Sequence, residues 1–387
     1  MAESATIKMA GMARAMKAEG KDVISLSLGE PDFDTPEHIK EAAKQALDDG
    51  YTKYTPVPGL VELRQAIVEK FKRDNNLEFT TDQIVVSNGA KQCIANICLA
   101  LLNPGDEVII FSPYWVSYSE IVKFAGGTPV PIHADISADF KVNAGQLDAA
   151  INPKTKAILF SSPCNPTGSV YTHDELTSLV EVIDKYDDLF IISDEIYEHI
   201  NFTDAHASIG TFDAVKEQTI TVNGMSKGFA MTGWRLGYMG APAWIADACK
   251  KVQGQFTSGA SSFGQKAAAI ALSTDLKPTQ EMKVAFLKRK HLVKEMLDDI
   301  PGIVANDPKG AFYFFPDISY FFGKSNGILT INDANSFCEV LLQEANVAVV
   351  TGSAFGDDNC FRLSYASSEE TLKEALRRIK NCLAKFS

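Results

Sequence analysis

Basic charge is not in excess in this sequence. Lysine and arginine number 37 against 49 aspartates and glutamates, and the formal net charge of −12 argues against nucleic acid or an anionic membrane as the main partner. There is no Cys-x-x-Cys pair. Seven cysteines, an odd number, fit reduced thiols rather than a disulfide framework. No apolar run approaches a bilayer span, and Met1-Ala2-Glu3-Ser4 shows no basic region leading into an apolar one, so no signal peptide is expected. These absences predict a cytoplasmic protein that spans no membrane. Neither Gly-x-Gly-x-x-Gly nor Gly-x-x-x-x-Gly-Lys-Ser/Thr occurs, so the phosphate loops of dinucleotide-binding and P-loop enzymes are missing. The six histidines form no cluster. Glu195 and His199, four apart, lack the His-Glu-x-x-His frame or cysteine pair of a metal site, and a structural or solvated role is expected for them. Cys93 and Cys98 fall on one helix and are expected to pack.

What is present is alternation. Short apolar runs at 84–87, 107–111, 128–132, 156–161, 189–193, 218–222 and 236–239 read as strands. Helical spacing separates most of them, at 90–102, 174–185 and 244–250 for example. Such alternation predicts an α/β fold with a mostly parallel seven-stranded sheet covered on both faces. Upstream lie a helix over 7–18, a strand over 23–28, a helix toward Leu47 capped by Thr35, an extended loop at 51–59 and a helix over 60–71. After about Phe286 the character shifts. Helices over 286–297 and 334–344, strands over 347–350 and 361–365, and a last helix capped by Ser367 or Ser368 predict a smaller α+β domain. A chain of 387 residues is long for one core. A large domain over 48–286 and a small one from 1–47 plus 287–387 are expected.

Several of these strands end in unusual chemistry, at the edge where open α/β sheets bind ligands. Val222-Asn223-Gly224-Met225-Ser226-Lys227-Gly228 presents a lysine in a polar turn, with Arg235 eight residues on. Desolvation and nearby cations would make such a lysine a nucleophile toward carbonyl groups, and a planar guanidinium suits a phosphate. Ser87 runs into Asn88-Gly89-Ala90-Lys91 and a helix, whose free first-turn amides form an anion site. Ser162-Pro163-Cys164-Asn165-Pro166-Thr167-Gly168 stiffens a loop around Asn165, with scope for cis peptides. Asp194 follows the apolar run Phe190-Ile191-Ile192-Ser193. A carboxylate there is costly without a partner such as a protonated ring nitrogen, although helix capping is open to it as well. Tyr197, three residues on, shares its side of the turn, and Trp115 offers a flat face for stacking. Taken one at a time, these residues have ordinary readings as surface charge, caps and core. Together they match one ligand with an aldehyde, a phosphate, a basic ring nitrogen and a phenolic oxygen, which is pyridoxal 5'-phosphate.

Over nearly its whole length the sequence resembles the class I/II aminotransferases, with the bacterial-type aspartate aminotransferases nearest. The likeness is carried by Gly29-Glu30-Pro31-Asp32-Phe33, Tyr54-Thr55-Pro56, Pro113-Tyr114-Trp115, Asn165-Pro166-Thr167-Gly168, Ser193-Asp194-Glu195-Ile196-Tyr197 and Met231-Thr232-Gly233-Trp234-Arg235. The resemblance implies the pyridoxal phosphate-dependent transferase fold, with the unit spanning 22–383. It also implies that Lys227 carries the cofactor and shuttles a proton, that Asp194 keeps the pyridine nitrogen protonated, and that Asn165 and Tyr197 meet the phenolic oxygen while Trp115 stacks on the ring. The backbone of Gly89, Ala90 and Lys91, with Arg235, would hold the phosphate. Tyr54 would reach the phosphate of a second copy, so a homodimer with shared active sites is implied. Arg362 would grip the substrate α-carboxylate, assisted by Asn165, Trp115 and the backbone of Gly29. Many relatives carry serine where this chain has Gly224. Either Ser226 compensates or one phosphate hydrogen bond is lost.

Lys91 resembles a lysine that meets the distal carboxylate of dicarboxylic substrates. The implied reaction moves an amino group from L-aspartate to 2-oxoglutarate, forming oxaloacetate and L-glutamate. Aromatic, prephenate or alanine substrates stay open, as do Cβ or Cγ lyases of the same fold, including C–S lyases. A non-catalytic relative is the alternative of another class. Intact Lys227, Asp194 and Arg362 speak against it.

Overall fold

The computed structural model describes residues 5–387; Met1 to Ser4, which bear on the signal-peptide reading, lie outside the described residues. After a two-residue strand, β1 (Ile24–Ser25), the seven expected strands all form. They are β2 (Ile84–Ser87), β3 (Glu107–Ser112), β4 (Thr128–His133), β5 (Thr155–Ser161), β6 (Phe190–Asp194), β7 (Thr219–Gly224) and β8 (Gly237–Gly240). They join one sheet in the order β2-β8-β7-β6-β5-β3-β4. β8 runs antiparallel to both neighbours, and the remaining pairings are parallel.

The central strands are apolar on both sides because both sides are covered. Val108, Ile110, Leu159 and Ile192 pack with the helices Ala90–Leu101 and Ala243–Phe256. The residues between them, Ile109, Phe111, Ile158 and Ile191, pack with the helix His173–Ile183 on the other face. Period-two alternation between two apolar environments produces a continuous hydrophobic run in sequence. At the β2–β8 end, Ile84, Val86 and Tyr238 meet the helices Glu37–Asp48, Val61–Asn75 and Ser262–Ser273. The carboxyl ends of β5, β6 and β7 therefore open along one edge.

A second core lies beside that edge. It contains β9 (Tyr313–Phe314), β10 (Val347–Ala348), β11 (Val350–Thr351) and β12 (Phe361–Ser364), with the helices Lys277–Asp298, Ala334–Glu344 and Glu369–Leu383. β12 is antiparallel to β9 and β11, and β1 pairs in parallel with β10. Phe286, Phe312, Phe337, Leu363 and Leu376 fill this core together with Leu26 from the N-terminal segment. Ile196, Tyr197 and Ile200, from the turn after β6, belong to the same cluster. The ligand-facing edge of the large sheet is thus packed directly on the second core.

Four local expectations change. The helix expected at 286–297 begins at Lys277, because Pro278 sits in its first turn, where its missing N–H costs nothing. The expected strand 23–28 keeps only Ile24–Ser25 in a ladder. Beyond it, Leu26 donates to Ala348 O (2.8 Å) and accepts from Ser364 N (2.9 Å), bridging two strands. The expected strand 347–350 divides into β10 and β11. Thr35 does not cap its helix, whose N-cap is Pro36. Its hydroxyl instead donates to Ala230 O (2.7 Å) and accepts from Trp234 Nε1 (3.0 Å), tying this turn to the segment after Lys227. Ser368 does cap the last helix, accepting from Thr371 N. All seven cysteines are free, with Cys93 and Cys98 buried in the large core. Among the described residues no helix is long and apolar enough to cross a membrane.

Candidate active site

The strand ends meet around a cleft of about 300 Å³ between the two cores. Asp194, the last residue of β6, is 4% exposed. Its Oδ2 accepts from Tyr118 Oη (2.7 Å) and its Oδ1 from Ile196 N (3.2 Å), a local turn rather than a helix cap. Burial pushes its carboxyl up to about 6, against the pull of those hydrogen bonds. Among the described residues no lysine or arginine forms an ion pair with it. A buried carboxylate of this kind is matched by a ligand cation.

Lys227 reaches the cleft from the turn after β7, where its Nζ donates to Gly29 O. Burial first, then Arg362 and Arg235, lower its ammonium to about 8, while Glu30 and Asp194 oppose them. An amine held there has an accessible free base near neutral pH and is competent toward carbonyl carbon.

Arg362 comes from β12 and is 2% exposed. Its Nη1 donates to Asn165 Oδ1 (2.9 Å) and its Nη2 to Ser27 O (2.6 Å). Tyr313 and Phe355 lie against the guanidinium, with ring centroids at 4.5 and 4.8 Å. Its buried Nε has no partner, and among the described residues no carboxylate pairs with it. A desolvated, oriented guanidinium without a counter-anion is a receptor for a planar carboxylate. Asn165 is held by its loop, in which Gly168 N bonds Cys164 O (2.9 Å) and Cys164 N bonds Ser169 O (2.9 Å). The Ser162–Pro163 bond is cis, as is Ser112–Pro113. Tyr197 Oη meets Tyr313 Oη at 2.7 Å. Trp115 meets the Tyr118 ring edge-on, and Lys91 Nζ lies 4.8 Å from the Trp115 ring centroid. Burial and Arg235 both lower the Lys91 ammonium.

At the far end Gly89, at φ +89°, starts the helix Ala90–Leu101. A Cβ on Gly89 would lie 2.2 Å from Arg235 Nη2, and one on Gly237 would lie 2.2 Å from Ala90 N. Both glycines are therefore dictated by close packing around this helix start. Arg235 Nη1 donates to Thr232 O (2.9 Å) and Nη2 to Asn88 O (3.3 Å), which fixes the fork beside first-turn amides that carry the positive end of the helix dipole. The departure at Gly224 has a steric cause. A Cβ there would stand 2.9 Å from Gly237 Cα and from Leu236 O, so a serine does not fit between the paired strands. Ser226, 7% exposed and lining the cleft, is the hydroxyl left on that turn.

A family model, aminotransferase class I and II, matches residues 21–379. The chain belongs to that family. It is 46% identical to an aspartate/prephenate aminotransferase of Cereibacter sphaeroides over 99% of this chain and 97% of the relative. A bifunctional aspartate aminotransferase and glutamate/aspartate-prephenate aminotransferase of Petunia hybrida is also 46% identical, over 98% of this chain and 80% of that protein. Among solved structures, the aspartate aminotransferase of Rhizobium meliloti superposes with a TM-score of 0.97 at 44% identity, covering 100% of this chain and 98% of the other. That of Thermus thermophilus with maleate gives 0.93 at 41% identity, over 99% and 97%.

In this aminotransferase every expected site residue lines the cleft except Gly89 and Tyr54. Gly89 lies under Arg235, one residue behind the lining. Tyr54 is 99% exposed and shares a separate surface with Thr55, Ser261 and Phe263. Lining residues to which the sequence reading gave no role include Tyr118, Tyr313, Glu30 and Thr232. Tyr118 had a signal, standing three residues after Trp115 at the start of a helix. Glu30 and Thr232 bond each other across the cleft mouth (2.8 Å) from positions 202 residues apart, and nothing local marks that pairing.

Proposed function

We propose that this aminotransferase depends on pyridoxal 5'-phosphate and transfers the amino group of L-aspartate to 2-oxoglutarate. The observation that carries the reading is the pairing, in one cleft, of a buried carboxylate lacking a cation (Asp194) and a buried guanidinium lacking an anion (Arg362), with the Lys227 amine alongside. The residues present fit that cofactor. Asp194 supplies the counter-charge for its ring nitrogen, and Asn165 and Tyr197 supply donors for its phenolic oxygen. Trp115 supplies a stacking face, and Lys227 anchors its aldehyde. The amides of Ala90 and Lys91, with Arg235 and Ser226, supply the phosphate cradle; the expected Gly89 amide already donates to Ser87 O (2.8 Å), and Gly89 and Gly237 leave no room there for side chains. When bound, the cofactor supplies an electron sink for charge developing at the substrate Cα.

The chain's own residues do the rest. Arg362, oriented by Asn165 and Ser27 O, binds the α-carboxylate beside the backbone of Gly29 and the Trp115 ring. The Lys227 amine would take up and redeliver the Cα proton, general acid–base work for which a depressed amine is suited. Asp194, a buried carboxylate without a cation, would favour a proton on the cofactor's ring nitrogen. Lys91, over Trp115, meets the distal carboxylate. Two cores support a large and a small domain within a unit spanning 22–383; the bounds 48–286 and 1–47 plus 287–387 depart from them at the helix Glu37–Asp48, which packs on the large sheet. The exposure of Tyr54, outside its own cleft, supports a homodimer in which it completes the site of a second copy. Sedimentation of the loaded protein at its monomer mass of 42.1 kDa would dismiss that dimer.

L-aspartate added alone to the cofactor-loaded protein should bleach its visible band and release oxaloacetate. A response to another amino acid but none to aspartate would discard the dicarboxylate reading. Ammonia and pyruvate from cysteine would make it a lyase. In the same assay Lys91→Ala should lower kcat/KM for aspartate about tenfold or more, the loss of one charge-assisted contact, while sparing alanine and phenylalanine. Equal losses across the three would remove Lys91 from specificity. The names of the relatives favour prephenate as a second amino acceptor, tested by supplying it in place of 2-oxoglutarate.

A further inference from the structure

The turn after β6 sends neighbouring side chains to opposite sides. Asp194 and Tyr197 line the cleft, whereas Glu195 (1% exposed) and Glu198 (8% exposed) enter a buried cluster behind it. Glu198 pairs with the ammonium of Lys70, itself fully buried, and its Oε2 accepts from Asn75 Nδ2 at 2.6 Å. Glu195 Oε1 accepts from Ser208 Oγ (2.6 Å) and Ser193 Oγ (3.1 Å), and its Oε2 lies 2.8 Å from His206 Nε2. His199 Nε2 stands 3.3 Å from Glu198 Oε1. Charged side chains are almost never buried this deeply unless paired, and these charges balance. Burial opposes a proton on His206, but Glu195 outweighs it and raises the imidazole, while burial keeps His199 neutral. Two carboxylates, Glu195 and Glu198, thus face the Lys70 ammonium and the His206 imidazole. Glu195, Glu198 and His206 place ligand atoms within 4.8 Å of one another, a spacing that suits a metal ion. Lys70 already supplies positive charge at that point.

Two contacts carry the cluster to the cleft. Glu195 adjoins Asp194, and its charge strengthens the hold of Asp194 on a proton. His199 packs on Gly228, the neighbour of Lys227. A Cβ on Gly228 would stand 2.6 Å from His199 Cδ2, and the His199 ring meets Phe229 edge-on at 5.4 Å.

We propose that Lys70, Glu195, Glu198, His199 and His206 form a charge-balanced brace that positions the two turns bearing Asp194 and Lys227 and sets the field in which those groups hold protons. These are positioning residues; none lines the cleft. The proposal rests on the reading of Lys227 as the cofactor anchor. The other charged and titratable groups nearby are Arg73, Asp74 and Tyr238 beside the cluster, and Glu30, Arg235 and Arg362 around Lys227. All of them stay in place in the variants below.

The test is a pH titration of the visible band of the cofactor-loaded protein, read as its midpoint. Lys70→Met leaves a buried negative charge, which favours protons in the cleft and should move the midpoint up, on the order of one pH unit. Glu198→Gln leaves a positive charge and should move it down by a similar amount. Lys70→Met/Glu198→Gln restores balance and should return it. Lys70→Arg should leave it in place, and His206→Gln should move it up, carrying that arm if Lys70→Met does not fold. Opposite signs with recovery in the double variant support the brace, because a purely structural role has no sign. No shift, shifts of one sign, or no recovery would overturn it. A wild-type protein with no visible band would overturn the Lys227 reading and the brace with it, whereas a band that does not move overturns the brace alone.

Discussion

Lys227→Ala is expected to lower turnover at least about 10,000-fold, the upper end of what a positioned acid–base group contributes, and to abolish the visible absorption of the cofactor-loaded protein. The size follows from two roles falling on one atom. On the proposed reading the Nζ both holds the cofactor and serves as the base for the substrate Cα, because the carboxylate of Asp194 already accepts from Tyr118 and would face the ring nitrogen. The fold should survive. Lys227 contributes a buried ammonium whose pKa, about 8, lies below the usual lysine value of 10.5. Between those values the folded protein holds fewer protons than the unfolded chain, so its stability falls as pH drops from about 10.5 to about 8 and is level below that. Removing the ammonium removes that penalty, and the cofactor-free variant should melt at or above the wild-type temperature at pH 7. The same sign governs loading. Attachment of the cofactor to the wild-type protein should speed up as pH rises through about 8 and then level off. A variant that keeps steady-state turnover, or a loading rate still climbing toward pH 10, would refute the role of this lysine.

Arg362→Ala should lower kcat/KM by about 100- to 1,000-fold for every amino acid tried, in line with losing one partner of a buried, hydrogen-bonded charge pair. The visible band without substrate should persist, because Arg362 holds the substrate and not the cofactor. Arg362→Lys should recover little. The site offers Asn165 Oδ1 and Ser27 O at fixed positions and aromatic contacts from Tyr313 and Phe355, all matched to a planar fork and not to a point charge. A loss below tenfold, or a loss confined to dicarboxylic substrates, would move the α-carboxylate elsewhere.

Much of this site was legible in the sequence because the chemistry sits at strand ends, and a strand buried on both faces announces itself as an apolar run. Asp194 and Lys227 stand out because a charge directly follows such a run. The start of the last helix was legible from Ser368 for an equally local reason. What stayed hidden depends on distant partners. Tyr313 reads as one more aromatic in Gly310-Ala311-Phe312-Tyr313-Phe314. Only the packing of β9 beside β12 brings its hydroxyl to Tyr197 and its ring to Arg362. Thr35 has the residue type and position of a helix cap, yet its hydroxyl is taken by Ala230 and Trp234, almost 200 residues away. The serine missing at Gly224 is visible in sequence, but its cause, a glycine-to-glycine contact across β7 and β8, is not.

The hydrogen bond from Arg362 to Ser27 O joins positions 335 residues apart. On a ribosome adding roughly 5–20 residues per second, that separation is on the order of 20–70 s. Throughout that interval the nascent chain acquires its anchoring lysine, its aspartate and the helix start for phosphate, but has no arginine with which to grip an amino acid. On the proposed reading every residue assigned to the cofactor is therefore made before the arginine assigned to the substrate, and a chain released before β12 would lack that arginine altogether.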